Sequence, residues 1–213
     1  SIWDKLTLDR PRKKNLHIPR LYQCFTFNGT KYERSFYSLI QQKFDFNEWV
    51  VLNRKVYMAS YHAFYPYELP LIGKMFVPIQ FIKDRIDDIC TQFVDNAIGV
   101  HIRRTDNIAS IQQSPLELFY EKVDYELDRD EKSMVYLATD SEEVKRQMRR
   151  RYGKRVISSS VPANRNSIAG IQDGLVEMYT LARTQKIYGS FQSSFSEMAS
   201  QIGGVPLEIL KKE

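Results

Sequence analysis

Four polar side chains follow a run of apolar, strand-prone residues in the stretch AIGVHIRRTDN, residues 97–107. They are His101, Arg103, Arg104 and Asp106. Alternate side chains of a strand face the same way, so His101 and Arg103 should point to one side and Arg104 to the other. Arginine binds two phosphate oxygens with one planar fork, so two arginines suit a diphosphate. An ion pair between Asp106 and Arg104 is the simpler alternative, and the residue types alone leave both open.

A second polar group lies in SFQSSFSEMA, residues 190–199, where hydroxyls crowd the start of a predicted helix. Ser193 and Ser194 could meet an anion there, because free backbone N–H groups and the helix dipole favour negative charge. Ser194 and Glu197 also form a capping box, and helix capping is the simpler explanation of these serines.

Glu177 lies away from the apolar stripe of a long predicted helix. Its carboxylate could accept two hydrogen bonds from the edge of a guanine, although a solvated carboxylate is the simpler interpretation. The sequence has no HExxH, GxSxG, GxxxxGK or GxGxxG motif. Arginine neutralises a diphosphate without a metal, so neither a metal nor a cofactor is expected.

Seven of the eleven residues from Lys145 to Arg155 are basic. Such a run could bind a polyanion or nucleic acid. Val144, Met148 and Tyr152 bury one face of the predicted helix, however, so a solvated helix face explains the charges more simply.

The elements that would position these residues are predicted between residues 76 and 210, where helical and strand patterns alternate. Strands are predicted over residues 97–102, 134–138, 156–159, 187–189 and 206–210. This alternation indicates an α/β domain, a Rossmann-like parallel sheet with flanking helices. Ligands of such sheets bind beyond the carboxyl ends of the strands. Polar residues follow the strands, among them Asp140 after the second and Arg165 after the third, so one shared cleft is expected.

Local signals predict where the helices begin and what they bury. One helix is predicted over residues 78–96, another begins at the cap Ser114, and Asp140 with Glu143 caps a third. The long helix should bury one apolar stripe. Its members are Ile168, Ile171, Leu175, Met178 and Ala182.

The first 75 residues are rich in aromatic side chains and show little periodicity, apart from a predicted helix over residues 37–51. Residues 1–75 are therefore assigned to a partial N-terminal region and residues 76–213 to the Rossmann-like domain. The 213 residues carry a net charge of +5, which suits an anionic ligand and is small for a nucleic-acid binder. Two cysteines form no disulfide framework. No apolar run approaches the roughly 20 residues of a membrane span, and no signal peptide is visible, so a cytoplasmic location is expected.

The motifs GVHIRRTDN, YLATDS and GLVEMYTLARTQKIYGSFQSSFSEMA resemble, in order and spacing, the C-terminal half of a fucosyltransferase superfamily. This superfamily includes core α1,6-fucosyltransferases, bacterial nodulation fucosyltransferases and protein O-fucosyltransferases. The resemblance covers roughly residues 76–205. It implies a GT-B-type glycosyltransferase of two Rossmann-like domains that transfers fucose from GDP-fucose to a glycan acceptor, with inversion and without a metal.

The resemblance also implies roles for individual residues. Arg103 would bind the β-phosphate and stabilise charge on the departing GDP, while His101 and Glu177 would lie at the guanine, where the family more often has aspartate in place of Glu177. The donor-binding set it implies is His101, Arg104, Asp140, Arg165, Glu177, Ser193 and Ser194. No general base transfers, because Ile111 stands where core α1,6 enzymes have a glutamate, so Asp106 is the remaining candidate.

The family's glycine-rich GLGN-type turn is absent from residues 1–75, which resemble an incomplete, acceptor-side N-terminal domain. Two alternatives to an enzyme stay open: a non-catalytic module that binds a GDP-sugar, and a polyanion or nucleic-acid binder using Lys145 to Arg155. The sequence decides neither the identity of the acceptor nor the oligomeric state.

Overall fold

The computed structural model describes residues 20–60, 64, 66, 70–93, 96–164 and 166–212. These residues belong to two units, residues 1–67 and residues 68–213. Arg165, one of the predicted donor-binding residues, lies outside the described residues.

In the first unit, the described residues form a pair of short parallel strands and three helices. In chain order these are α1 (Arg20–Thr26), β1 (Gly29–Tyr32), α2 (Glu33–Gln41), α3 (Phe46–Leu52) and β2 (Val56–Ala59). Phe36 and Phe46 are buried and stack with ring centroids 5.8 Å apart. The single helix predicted over residues 37–51 is wrong, because the chain leaves α2 through Lys43, whose positive φ of 53° ends helical geometry.

The second unit is built around a five-stranded parallel sheet of order β5-β4-β3-β6-β7. Its strands are β3 (Ala97–Ile102), β4 (Met134–Thr139), β5 (Val156–Ser158), β6 (Lys186–Ser190) and β7 (Leu207–Leu210). Its helices are α4 (Pro70–Met75), α5 (Gln80–Cys90), α6 (Ile108–Gln113), α7 (Leu116–Arg129), α8 (Glu142–Tyr152), α9 (Ile168–Leu181) and α10 (Ser194–Gly203). The predicted α/β class, with helices flanking a parallel sheet, is confirmed.

Apolar strands hold the sheet between two layers of helices. On one face Ile98 and Leu137 pack with Phe119 of α7 and Met148 of α8. On the other face Tyr136 packs with Leu181 of α9 and with Ala199 of α10. Strands that are covered on both faces are continuous apolar runs, which is why β3 and β4 were readable in the sequence.

The order of the strands reverses between β3 and β6, because the chain runs outward from β3 through β4 to β5 and then returns to β6. Such a switch point is where open parallel sheets bind ligands, beyond the carboxyl ends of the strands. His101 lies next to both Ala138 and Gly189 in register, so β3, β4 and β6 end side by side.

Several predicted helix boundaries are wrong, because local geometry begins or ends the helix at a different residue. The helix predicted over residues 78–96 is the shorter α5, and α6 was not predicted. Pro115, rather than Ser114, precedes α7 as its cap residue, while the Ser114 hydroxyl donates to the carbonyl of Leu210 and accepts from the backbone N–H of Phe191. Ser193, rather than Ser194, is the cap residue of α10.

The predicted apolar stripe of α9 is right only at its C-terminal end, where Met178 packs against the core and Ala182 is buried. Ile168, Ile171 and Leu175 are 79%, 57% and 40% exposed, whereas Val176 and Leu181 are buried. Helices α5 and α10 pack against α9, and their position decides which of its apolar residues are covered. None of the helices in the described part of the chain has the length and apolar character needed to cross a membrane.

Candidate functional site

A cavity of about 100 Å³ lies at the carboxyl ends of β3 and β4, where the strand order predicts a ligand site. Strand ends, the loop after β5, and helices α9 and α10 all contribute to its wall. The lining residues are His101, Arg103, Thr139, Asp140, Ser159, Val161, Ala163, Asn164, Gly170, Asp173, Gly174, Glu177 and Phe195. The structure therefore brings together four predicted site residues: His101, Arg103, Asp140 and Glu177.

His101 is buried at the end of β3. Its ring stacks on Phe195, with centroids 4.7 Å apart and planes at 29°. Its Nδ1 lies 3.4 Å from the hydroxyl of Ser193. These contacts fix the plane of the imidazole at the cavity wall. Ser193 does not line the cavity itself, and Ser194 is exposed.

Arg103 lines the same cavity, as strand alternation predicted for the neighbour of His101. Its backbone N–H donates to the hydroxyl of Ser190 at 3.1 Å. Its Nε and Nη2 donate to the two carboxylate oxygens of Asp106, each at 2.9 Å. The fork is thus held in a fixed direction, and no described residue accepts a hydrogen bond from its Nη1.

Arg104 points away from the cavity and binds backbone. Its Nη2 donates to the carbonyl of Ser114 at 2.6 Å and its Nη1 to the carbonyl of Arg103 at 3.3 Å. Burial lowers the pKa of Arg104 below its usual value, and nearby Asp140 opposes this shift. Arg104 therefore ties the turn after β3 to the segment that precedes α7.

Asp140 organises the turn that carries Arg103. Its carboxylate accepts from the backbone N–H of Arg104 at 2.7 Å, the backbone N–H of Thr105 at 3.3 Å and the hydroxyl of Thr105 at 2.6 Å. The predicted capping role of Asp140 is wrong, because Ser141 caps α8 by accepting from the N–H of Val144. This leaves the Asp140 carboxylate to hold the end of β3.

Glu177 lies in the cavity wall. The sequence alone could not distinguish this position from a solvated one. Burial raises the pKa of Glu177 to about 7, opposed by the positive charge of Lys145 and reinforced by Asp173. The carboxyl group can therefore change charge near neutral pH. Glu177 also borders a second cavity of about 330 Å³ beside the first.

Sequence reasoning missed two wall features. Phe195 follows Ser193 and Ser194 and stacks on His101, but an apolar residue in the first turn of a helix carries no signal of this contact. Gly170 and Gly174 lie one turn apart on α9, and their spacing could have indicated a smooth helix face. Among the residues that the structure describes, no group of three or more His, Cys, Asp or Glu side chains is arranged to hold a metal ion.

The basic segment from Lys145 to Arg155 is largely paired within the chain. Arg146 and Arg150 bind Glu143, and Arg151 binds Asp124. Arg155 donates to backbone carbonyls. These contacts favour the helix-face interpretation over a polyanion site. Lys145 fits neither the helix-face nor the polyanion interpretation, since its side chain is buried.

Comparison with known proteins shows that the fold of this chain is similar to folds already solved. No protein-family model matches the chain, and no curated protein sequence matches it. Among solved structures, NodZ α1,6-fucosyltransferase soaked with GDP-fucose matches 93% of this chain and 75% of its own, with 19% identity and a TM-score of 0.54. POFUT1 in complex with GDP matches 80% of this chain and 61% of its own, with 12% identity and a TM-score of 0.52.

A further structure of NodZ, co-crystallised with GDP, is 26% identical over 57% of this chain, with a TM-score of 0.42. The chain spans about two fifths of that NodZ chain, 41%. The NodZ structure soaked with GDP-fucose and the POFUT1 complex with GDP confirm, for the fold, the resemblance that the sequence motifs indicated: this chain shares an α/β architecture with both.

Proposed function

We propose that the chain is a fucosyltransferase-like glycosyltransferase that binds GDP-fucose at the carboxyl edge of its sheet and transfers fucose to a glycan acceptor. The observation that carries this proposal is the cavity at the ends of β3 and β4, where a stacked imidazole and a carboxylate meet the fork of Arg103. NodZ soaked with GDP-fucose and POFUT1 in complex with GDP, whose folds resemble this one, support the choice of donor.

The base would be recognised by His101 and Glu177. An ionised carboxylate accepts two hydrogen bonds, and guanine presents two donors side by side, N1–H and the 2-amino group. Adenine has an acceptor at N1, so the same carboxylate would repel it. Glu177 therefore favours guanine over adenine.

The diphosphate would be neutralised by Arg103. Its Nη1 donor faces no described acceptor, and a phosphate could share or displace Asp106 on the other donors. Charge-assisted, bidentate contacts of this kind are among the stronger hydrogen bonds of proteins. Asp140 and Arg104 would act indirectly by holding the turn, while Ser193 would orient His101.

The transfer would be an inverting displacement that needs no metal. The acceptor hydroxyl attacks the anomeric carbon, the bond from that carbon to the β-phosphate oxygen breaks, and GDP leaves with the electron pair. Arg103 would stabilise the charge that develops on the phosphate. Asp106 is the proposed acceptor of the hydroxyl proton, a role that requires its carboxylate to loosen from Arg103.

Calorimetric titration of the full chain with GDP, ADP and UDP in EDTA tests the proposal. We expect GDP to bind selectively and without a metal. Equal binding of the three nucleotides, or binding of none, would contradict it. Turnover of GDP-fucose with a panel of glycan acceptors then separates an enzyme from a module that binds the donor without reaction.

A further inference from the structure

We infer that Lys145 is a positioning residue for the base-binding wall, because it holds the loop after β5 in place and presents a positive charge to Glu177. The identity of the base rests on the proposed function, whereas the effect of Lys145 on Glu177 does not. Nothing in the sequence distinguished Lys145 from the basic residues around it.

The position of Lys145 is unusual for a lysine. Its side chain is 2% exposed, whereas the neighbouring Arg146 is 66% exposed. A buried ammonium group is costly unless it is paired and hydrogen-bonded. The Nζ of Lys145 donates to the carbonyl of Val161 at 3.0 Å and pairs with Glu142 at 2.8 Å.

The bond to Val161 fixes a small turn in the cavity wall. The backbone N–H of Val161 donates to the hydroxyl of Ser159 at 3.1 Å. Ser159, Val161 and Glu177 border both the first cavity and the larger one beside it. Lys145 thus ties the first turn of α8 to the loop segment that faces Glu177.

Lys145 also offsets the negative charge around Glu177. Burial is the main cause that raises the pKa of Glu177, and Lys145 is the positive charge that opposes it, while Asp173, Glu142 and Asp140 raise the pKa further. Arg85 of α5 also borders the larger cavity, but it pairs with Asp173. Among the described residues, the titratable or charged groups that interact electrostatically with Glu177 or share the walls of its two cavities are Lys145, Asp173, Glu142, Asp140, Arg85, Asp88, His101, Arg103 and Tyr136.

This arrangement has a consequence for recognition. Only the ionised form of Glu177 accepts both donors of a guanine edge. By favouring that form, Lys145 would set the pH above which the base is bound through Glu177.

The direct test is the titration of the Glu177 carboxyl carbon by NMR in the free chain, with the signal assigned by its loss in Glu177→Gln. We expect Lys145→Met to raise the midpoint by about one pH unit or more, the usual effect of removing a neighbouring opposite charge. Lys145→Arg should keep the midpoint near that of the unaltered chain, and Arg146→Met is the matched exposed control. An unchanged midpoint in Lys145→Met would overturn the inference.

Lys145→Gln separates the effect of the charge from that of the hydrogen bond, because the glutamine amide can still donate to Val161. This variant replaces Lys145→Met in the titration if Lys145→Met does not fold. It should raise the midpoint as well. GDP affinity measured from pH 5.5 to 8.5 should shift its pH profile by the same amount, whereas a purely structural role would lower affinity equally at every pH. If GDP does not bind at all, the proposed function fails while the carboxyl titration still decides the role of Lys145.

Discussion

Strand alternation gives two neighbouring arginines different surroundings. Arg103 shares the side of His101 and lines the cavity, while Arg104 is turned to the carbonyls of Ser114 and Arg103. One arginine is thus presented to a ligand and the other holds the turn that presents it. Their separate contributions can be measured.

We expect Arg103→Ala to lower GDP affinity by about 10- to 150-fold, because hydrogen bonds to charged groups contribute roughly 1.5–3 kcal/mol. Its free energy of unfolding should change little, since its guanidinium pairs with the exposed Asp106 and surface ion pairs contribute little to stability. Calorimetry gives the affinity and urea denaturation the stability. Arg104→Ala is the informative comparison, because it should destabilise the chain as well. Unchanged GDP affinity in Arg103→Ala would remove Arg103 from the site.

Asp140 shows why individual residues near the site resisted prediction. An aspartate followed three residues later by glutamate fits a capping box. Helix α8 nevertheless begins one residue later, where the hydroxyl of Ser141 accepts from the N–H of Val144. The structure uses Ser141 for the cap, and Asp140 holds a turn 36 residues earlier in the chain. Local patterns carry no information about such a distant partner.

At the scale of elements, the strands were predictable and the helix faces less so. Strands β3 and β4 are buried on both sides and therefore read as apolar runs. Helix α9 has apolar residues on more than one side, and the packing of α5 and α10 leaves Ile168 and Ile171 exposed. Two residues after the end of helix α2, Lys43 lies in the left-handed region, where no glycine marks the stop.

Two glycines of α9 allow a test of the cavity. A Cβ added to Gly174 would meet no atom within 4 Å, whereas one added to Gly170 would lie 1.7 Å from the carbonyl oxygen of Asn164. Gly174→Ala should therefore raise the free energy of unfolding by about 1 kcal/mol, from helix propensity alone. Gly170→Ala should lower it by about 1–3 kcal/mol through overpacking.

Gly174→Leu should fold as well as Gly174→Ala but fill the space beside Glu177. We expect GDP affinity to fall by about tenfold or more relative to Gly174→Ala, since overpacking at the ligand costs roughly 1–3 kcal/mol. Thermal denaturation and calorimetry on the same samples measure the two effects. Equal GDP affinity in the two variants would place the nucleotide elsewhere.

At the scale of the whole molecule, the sheet places the site where its strand order reverses. The alternation of helices and strands predicted an edge at which polar residues meet, and His101, Arg103, Asp140 and Glu177 do meet there. The shape and depth of the cavity were beyond the sequence, because they depend on Phe195, Val161 and the glycines of α9. Burial of Glu177 in that wall connects the site to the stability of the second unit.

Glu177 should make the chain less stable as pH rises. Its pKa is about 7 in the folded chain, whereas the ordinary value for a glutamate is 4.5. Between these two pH values the folded state therefore binds more protons than the unfolded state. The stability linked to Glu177 is therefore complete below pH 4.5 and is lost as pH rises to 7, by at most roughly 3 kcal/mol, and by less where solvent reaches the carboxylate.

Urea denaturation of the unaltered chain and of Glu177→Gln across this range isolates the effect, because the other carboxylates cancel in the difference. We expect the stability of the unaltered chain relative to Glu177→Gln to decrease from pH 4.5 to 8. Glu143→Gln should show the opposite trend, since Arg146 lowers the pKa of the exposed Glu143. A difference for Glu177→Gln that does not vary with pH would mean that water reaches this carboxylate freely, and the wall it shares with His101 would then not be a dry pocket for a base.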